Sequence, residues 1–470
     1  MIVDSNGMRS ALRAIPCVIA LAGSALGASA FLLACSDDGD GARTPFVEDS
    51  GPEASLPEAG GPTDGPNPDA RGPFDPSDEA VTCDASPCVT QIVAGDDHFC
   101  ARISDGTVRC WGDNAKGQLG HEEAVEADAK PFVVNLADVT QISAARATTC
   151  ARSGDGGVLC WGGNENGELG RELDPPFDEE AHPLPERVAI DAAVRVDVGQ
   201  RSTCATTATG GVFCWGNDES AQLARGEPGG LGLAPAAADL GVAVKRTAAG
   251  IDTAFALASD GTLFTWGAVA GPTGILSGRV SSVTPSPIPS SVERLASVST
   301  FAVSGPTPGR IPPDALPWMP PPPPNQHACA VANGDVYCWG KSERGALGTG
   351  LPDSLVALPT LARLGTRAYA QQVAVGGETT CARLTDGTVA CTGENVRGQL
   401  GTGAAGPFSS TFTGASTLSG RAVQVAVAKE TVCALVQGGT VACWGGNAHG
   451  ELGLGIQDDE AHPSATKVTF

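Results

Sequence analysis

Residues 100–120 read CARISDGTVRCWGDNAKGQLG, and versions of this stretch return at 150–170, 204–224, 255–267, 329–348, 381–401 and 433–453. A unit repeated at roughly 50 residues cannot bury its own apolar faces, so the fold has to come from packing neighbouring units against one another. Alternation within each copy, with Cys100, Arg102 and Val108 on one face and Ala101, Ile103 and Arg109 on the other, describes two short antiparallel strands. The loop between them sets their register. In five copies the third loop residue is Gly (Gly106, Gly156, Gly210, Gly387, Gly439), where a three-residue hairpin needs a left-handed backbone that only Gly adopts without steric cost. That loop places Cys100 opposite Cys110. The copy at Cys329 and Cys338 is one residue shorter and turns on Asn333-Gly334, the favoured two-residue pair, so its cysteines again face each other.

Directly opposed residues are close enough for a disulfide, giving six expected cross-strand bridges: Cys100–Cys110, Cys150–Cys160, Cys204–Cys214, Cys329–Cys338, Cys381–Cys391 and Cys433–Cys443. Zinc ligation and free buried thiols are the competing readings. Zinc is the weaker, because no Cys-x-x-Cys knuckles occur and the fourth copy keeps its hairpin with Phe255 and Thr265 in the cysteine positions. Cys83 and Cys88, just before the first strand, are read as closing a small loop.

The motif resembles the repeat of the regulator of chromosome condensation, through Gly95, His98, Asp105-Gly106, Trp111-Gly112, Asn114 and Gly117-Gln118-Leu119-Gly120. The resemblance runs from about Cys88 to the C-terminus and implies an all-β, seven-bladed β-propeller with about four antiparallel strands per blade. Seven hairpins at regular spacing, punctuated by 62 Gly and 35 Pro, agree with it. Trp111, Trp161, Trp215, Trp266, Trp339 and Trp444 share one repeat position and are read as packing between blades rather than as a ligand platform. Departures are Thr392 at a Trp position, Ala224 at a Gly position, and a fourth copy without its glycine turn. The final stretch, 465–470, is expected to complete a blade begun by N-terminal strands, closing the ring.

Ahead of the repeats, Arg9 and Arg13 precede an apolar run ending Leu32-Leu33-Ala34-Cys35. This is similar to a bacterial lipobox, so residues 1–34 are read as a lipoprotein signal peptide and Cys35 as the lipidated residue, with an uncleaved membrane anchor as the alternative. Residues 35–80 are read as a disordered tether: 36–80 holds 12 acidic and two basic residues, eight prolines and few large apolar groups. The propeller is assigned to 81–470, with an insertion at 304–326 that carries Trp318 and Met319 before a polyproline run, candidates for contact with a partner. With Cys17 removed and Cys35 lipidated, fourteen of the 16 cysteines remain for seven bridges, as an oxidising compartment requires.

The net charge of −24 argues against nucleic acid. Acidic residues after the glycine turns (Glu122, Glu123, Glu126; Asp174, Asp178, Glu179, Glu180; Asp458, Asp459, Glu460), with His121, His182 and His462 among them, could ligate a metal but belong to separate blades and are read as a solvated face. Gly340-Lys341-Ser342 does not complete a phosphate-binding loop. The expectation is a monomeric, lipid-anchored extracytoplasmic propeller of the bacterial cell envelope, at the outer membrane. It would act as a protein-binding or scaffold module for an envelope or surface protein, with no catalytic residue, metal or cofactor. An envelope polysaccharide-binding or -modifying protein is the alternative. Guanine-nucleotide exchange, the activity of the nuclear member of the resembled family, ranks below both.

Overall fold

The structure, a computed structural model, describes residues 74–77, 79–121, 126–171, 177–226, 228–268, 275–279, 286–309, 311 and 322–470. Seven four-stranded antiparallel sheets follow one another along the chain as the blades of a β-propeller. The innermost strands are Val89–Ala94, Val139–Ala145, Ala193–Val198, Val244–Ala249, Val298–Val303, Ala370–Gly376 and Ala422–Val427. Each blade then runs outward in sequence order. In every hairpin that carries cysteines the pair is in register, Cys100 against Cys110 and Cys329 against Cys338 among them, and Phe255 faces Thr265 in the fourth.

No blade has a core of its own. The buried apolar residues fall into seven clusters, and each cluster joins two neighbouring blades. The Trp-Gly step makes those seams. Trp111, Trp161, Trp215, Trp266, Trp339 and Trp444 are fully buried, and each indole N–H donates to a turn carbonyl of the preceding blade: Glu451, Gln118, Glu168, Gln222, Leu276 and Gln399. Gly112 follows with φ +105°, at a break in the pairing with the outer strand, and a side chain there would meet the Asp97 carbonyl at 2.6 Å.

The three irregular repeats are repaired locally. In the sixth, Thr392 Oγ1 donates to the Gly345 carbonyl in place of the indole, and Phe412 lies against Gly348, where other seams place the Trp ring. The fourth does have its turn, displaced along the chain: a short 3-10 segment, Ile275–Ser277, buries Leu276 and ends at Gly278 with φ +67°. In the third, Ala224 takes the positive φ of the missing glycine.

Two expectations are corrected. The chain's last strand, Asp458–Lys467, pairs with the third strand of its own blade, Cys443 facing Thr466, so no strand is exchanged between the ends. Each repeat already supplies four consecutive strands, and closure falls to side-by-side packing, in which Phe470 meets Trp111 edge-on at 5.5 Å. The stretch assigned to the tether also ends earlier than its composition suggests, because Phe74 packs on Tyr369, Gln371 donates to the Asp75 and Ser77 carbonyls, and Glu79 pairs with Arg421. From there the chain bonds the hairpin of the last blade through Thr82 and Ala85 and enters the first.

Candidate functional site

Because the strands of a blade alternate in direction, the loops after the first and third strands of every blade open at one end of the ring. The short hairpin loops and the links between blades open at the other. On the first end, the loop face, the glycine turn is built from its own side chains: Asn114 Oδ1 accepts the Leu119 N–H and Gln118 Oε1 accepts the Lys116 N–H. Charged side chains stand beside these turns and pair mostly across the seams. Lys116 and Arg146 meet Glu165 (3.3 and 2.6 Å), Arg201 meets Asp252 (3.6 Å), Arg344 meets Glu394 (2.8 Å) and Arg397 meets Glu430 (3.4 Å).

The seam between the last and first blades differs. There Asp97, His449 and Glu451 lie together, with His449 Nδ1 3.2 Å from Glu451 Oε1. Burial pushes the Asp97 carboxyl up to about 6 against the pull of Lys429, and the hydrogen bond to Glu451 raises His449 to about 9. Between the fifth and sixth blades, burial raises Glu378, which accepts hydrogen bonds from Ser342 and Thr307 (both 2.9 Å).

The loop face opens onto a central channel lined by the inner strands, with a cavity of about 250 Å³. A bulge leaves one residue of each inner strand unpaired. In four blades the residue that follows it is Gln, and its amide clasps the next inner strand as a backbone would. Gln91 bonds both backbone groups of Ile142, Gln141 those of Val196, Gln372 those of Val425 and Gln424 those of Ile92. At the third blade Arg195 holds Asp197, whose carboxylate accepts the Thr247 N–H, and at the fourth Arg246 lies 5.0 Å over the Phe301 ring.

Seven disulfides are present: Cys83–Cys88, Cys100–Cys110, Cys150–Cys160, Cys204–Cys214, Cys329–Cys338, Cys381–Cys391 and Cys433–Cys443. Cys35, Trp318 and Met319 lie outside the described residues, as do Glu122, Glu123 and Asp174. Asp178–Glu180 and Asp458–Glu460 open outer strands rather than standing in loops, with His182 and His462 each 2.8 Å from the aspartate four residues before. His121 is buried against Phe132. The Gln clasps and the Asp97, His449, Glu451 group went unread in the sequence. Aligning the copies by their inner strands exposes the first, as VTQIVA, VTQISA, AQQVAV and AVQVAV.

The exposed large apolar side chains are unevenly placed. Phe177, Ile311, Leu351, Val396, Phe408 and Ile456 all stand on the loop face, and among the described residues none occupies a hairpin loop at the other end.

These features define a seven-bladed β-propeller of short repeats with one apolar, charge-ringed end. Residues 89–118, 139–168, 370–399 and 333–383 match models of the Regulator of chromosome condensation (RCC1) repeat. The chain is 26% identical over 381 residues to the ultraviolet-B receptor UVR8 of Arabidopsis thaliana, covering 79% of this chain and 80% of that protein. Among solved structures, human WBSCR16 shares 22% identity with a TM-score of 0.59, covering 73% of this chain and 85% of that one. Prp20p of Saccharomyces cerevisiae shares 17% with a TM-score of 0.62, covering 82% and 87%; at these identities the likeness is one of fold.

The comparisons correct the reading of a lipid-anchored protein of the bacterial envelope, its membrane attachment and its envelope or surface partner, because these relatives come from a plant, a yeast and human. The signal that suggested it is one apolar run ending in Cys35, whereas the repeats extend through nearly 400 residues. No helix among the described residues is long and apolar enough to cross a membrane.

Proposed function

We propose that the chain is a non-catalytic protein-binding propeller that receives its partner on the loop face. The observation that carries this reading is the group of exposed apolar side chains gathered on that end, while none stands in a described hairpin loop at the other, with Leu351 60% and Phe408 41% exposed beside the Arg344–Glu394 pair. Apolar anchors within a charged rim are the composition of a protein interface. The net charge of −24 favours a basic partner. The relative of known structure Prp20p is described by its binding to Gsp1p and histones, and the same yeast protein was solved bound to Kap60.

The test is a titration of the full chain with histones and with Gsp1p, at physiological salt to suppress unspecific charge attraction. Saturable binding is expected with at least one, weakened about tenfold or more in the Leu351→Ser, Phe408→Ser double variant. Val133→Ser, on the outer wall, is the control and leaves affinity unchanged. Absence of binding, or equal loss in both variants, contradicts the reading.

A further inference from the structure

At most seams on the loop face, a carboxylate meets a cation supplied by the chain itself. The position two residues after the turn's opening Asn or Ser holds Lys116 in the first blade, Arg344 in the fifth and Arg397 in the sixth, and each reaches an acidic residue of the next blade. In the last blade the same position holds His449. Asp97 of the first blade and Glu451 of the last converge on it, with one ligand atom from each of the three within 4.8 Å of the others. We propose that these residues form a binding site for one first-row divalent cation, of the zinc or manganese type, that ties the last blade to the first.

The donor set is one imidazole nitrogen and two carboxylate oxygens, which suits such ions better than Mg2+ or Ca2+, whose ligands are oxygens alone. The spacing agrees. With metal–ligand bonds of about 2.0–2.1 Å, the edge of a tetrahedral site is roughly 3.3 Å, and His449 Nδ1 lies 3.2 Å from Glu451 Oε1, joined by the hydrogen bond whose proton the incoming ion displaces to solvent. Closing the Asp97 oxygen onto the ion requires a side-chain adjustment of an ångström or so by this estimate. Glu451 is already oriented: its other oxygen accepts the His449 backbone N–H at 2.9 Å, leaving Oε1 to face the imidazole. The surrounding charge also favours a cation, since Asp96, Asp97, Asp113 and Glu451 stand near His449 or Asp97, against Lys429 and, beside Asp96, Arg146. The His449 side chain is 45% exposed, which gives an ion a way in, while Glu451 is buried beneath it. Three protein ligands leave a further position for water.

The site stands at the one seam where the last blade meets the first, so its occupancy should be read in stability as well as in metal content. The tag-free full chain is equilibrated with Zn2+, and in parallel with Mn2+, and bound metal and the thermal midpoint are measured. The expected result is one saturable equivalent per chain and a midpoint that rises with metal and falls back with chelator. Affinity drops tenfold or more in Asp97→Asn and in His449→Ala, each first shown by circular dichroism to be folded, and is unchanged in His182→Ala and His462→Ala. No saturable binding, binding that survives both seam variants, or binding lost with His182 or His462 overturns the site.

Discussion

His98 and His327 occupy the same position in the first and fifth blades, each fully buried and each bonded through Nε2 to a Thr hydroxyl of the next blade, Thr149 at 2.9 Å and Thr380 at 2.7 Å. Burial pushes His98 down to about 3 and His327 to about 4, so both rings are neutral in the folded protein. The unfolded chain then binds more protons between these values and the ordinary histidine value near 6.5. Stability from the two rings is complete above about pH 6.5 and is lost as pH falls toward 3–4, on the order of a few kcal/mol. Asp97, raised to about 6, acts in the opposite sense over part of this window. The difference between wild type and a His98→Gln, His327→Gln variant isolates the histidines: urea midpoints measured from pH 7 to 4 should fall less steeply in the variant. Parallel slopes would show that the rings do not titrate with unfolding.

Among the structural elements, the inner strands hold the ring by side chains that imitate a backbone. Gln424 is the decisive one, because it bonds Ile92 N–H and C=O (both 2.9 Å) across the seam where no strand is exchanged. Gln424→Ala leaves both backbone groups buried without these partners and should cost roughly 2 kcal/mol or more in denaturant unfolding, without altering the far-UV spectrum. A change within a few tenths of a kcal/mol would mean that the seam closes on its apolar cluster alone. Much of the hairpin register was legible in the sequence, since a loop of fixed length with Gly106 or Asn333-Gly334 permits one pairing, and that pairing brings each cysteine to its partner. The clasps were not, because Gln91 and Gln424 act on residues in other repeats and alternation within one strand says nothing of a bulge. Docking of Phe74 and Glu79 was hidden for a related reason: acidic, proline-rich composition describes what a segment cannot bury, whereas these two side chains find partners that exist only once the sixth and seventh blades are formed. The Asp97, His449, Glu451 group joins residues from the two ends of the ring, a contact that follows only from closure.

The propeller is a closed circle of seven seams, each with its own apolar cluster, and the topology divides its surface into two ends of different character. One end has short hairpin turns crossed by the segment that enters the first blade. The other has longer loops, charges paired mostly across the seams, and a group of exposed apolar side chains. Nothing in composition distinguishes the ends, and the repeat pattern legible in the sequence describes both equally. The account therefore rests on which end a partner covers. Hydroxyl-radical footprinting of the full chain, alone and saturated with whichever of the histones or Gsp1p binds, reads this directly. Protection of Phe177, Leu351, Val396, Phe408 and Ile456, with Phe132 and Leu361 on the outer wall unchanged, is the predicted result. Protection confined to the outer wall or the hairpin end, with these five side chains still reactive, would contradict it.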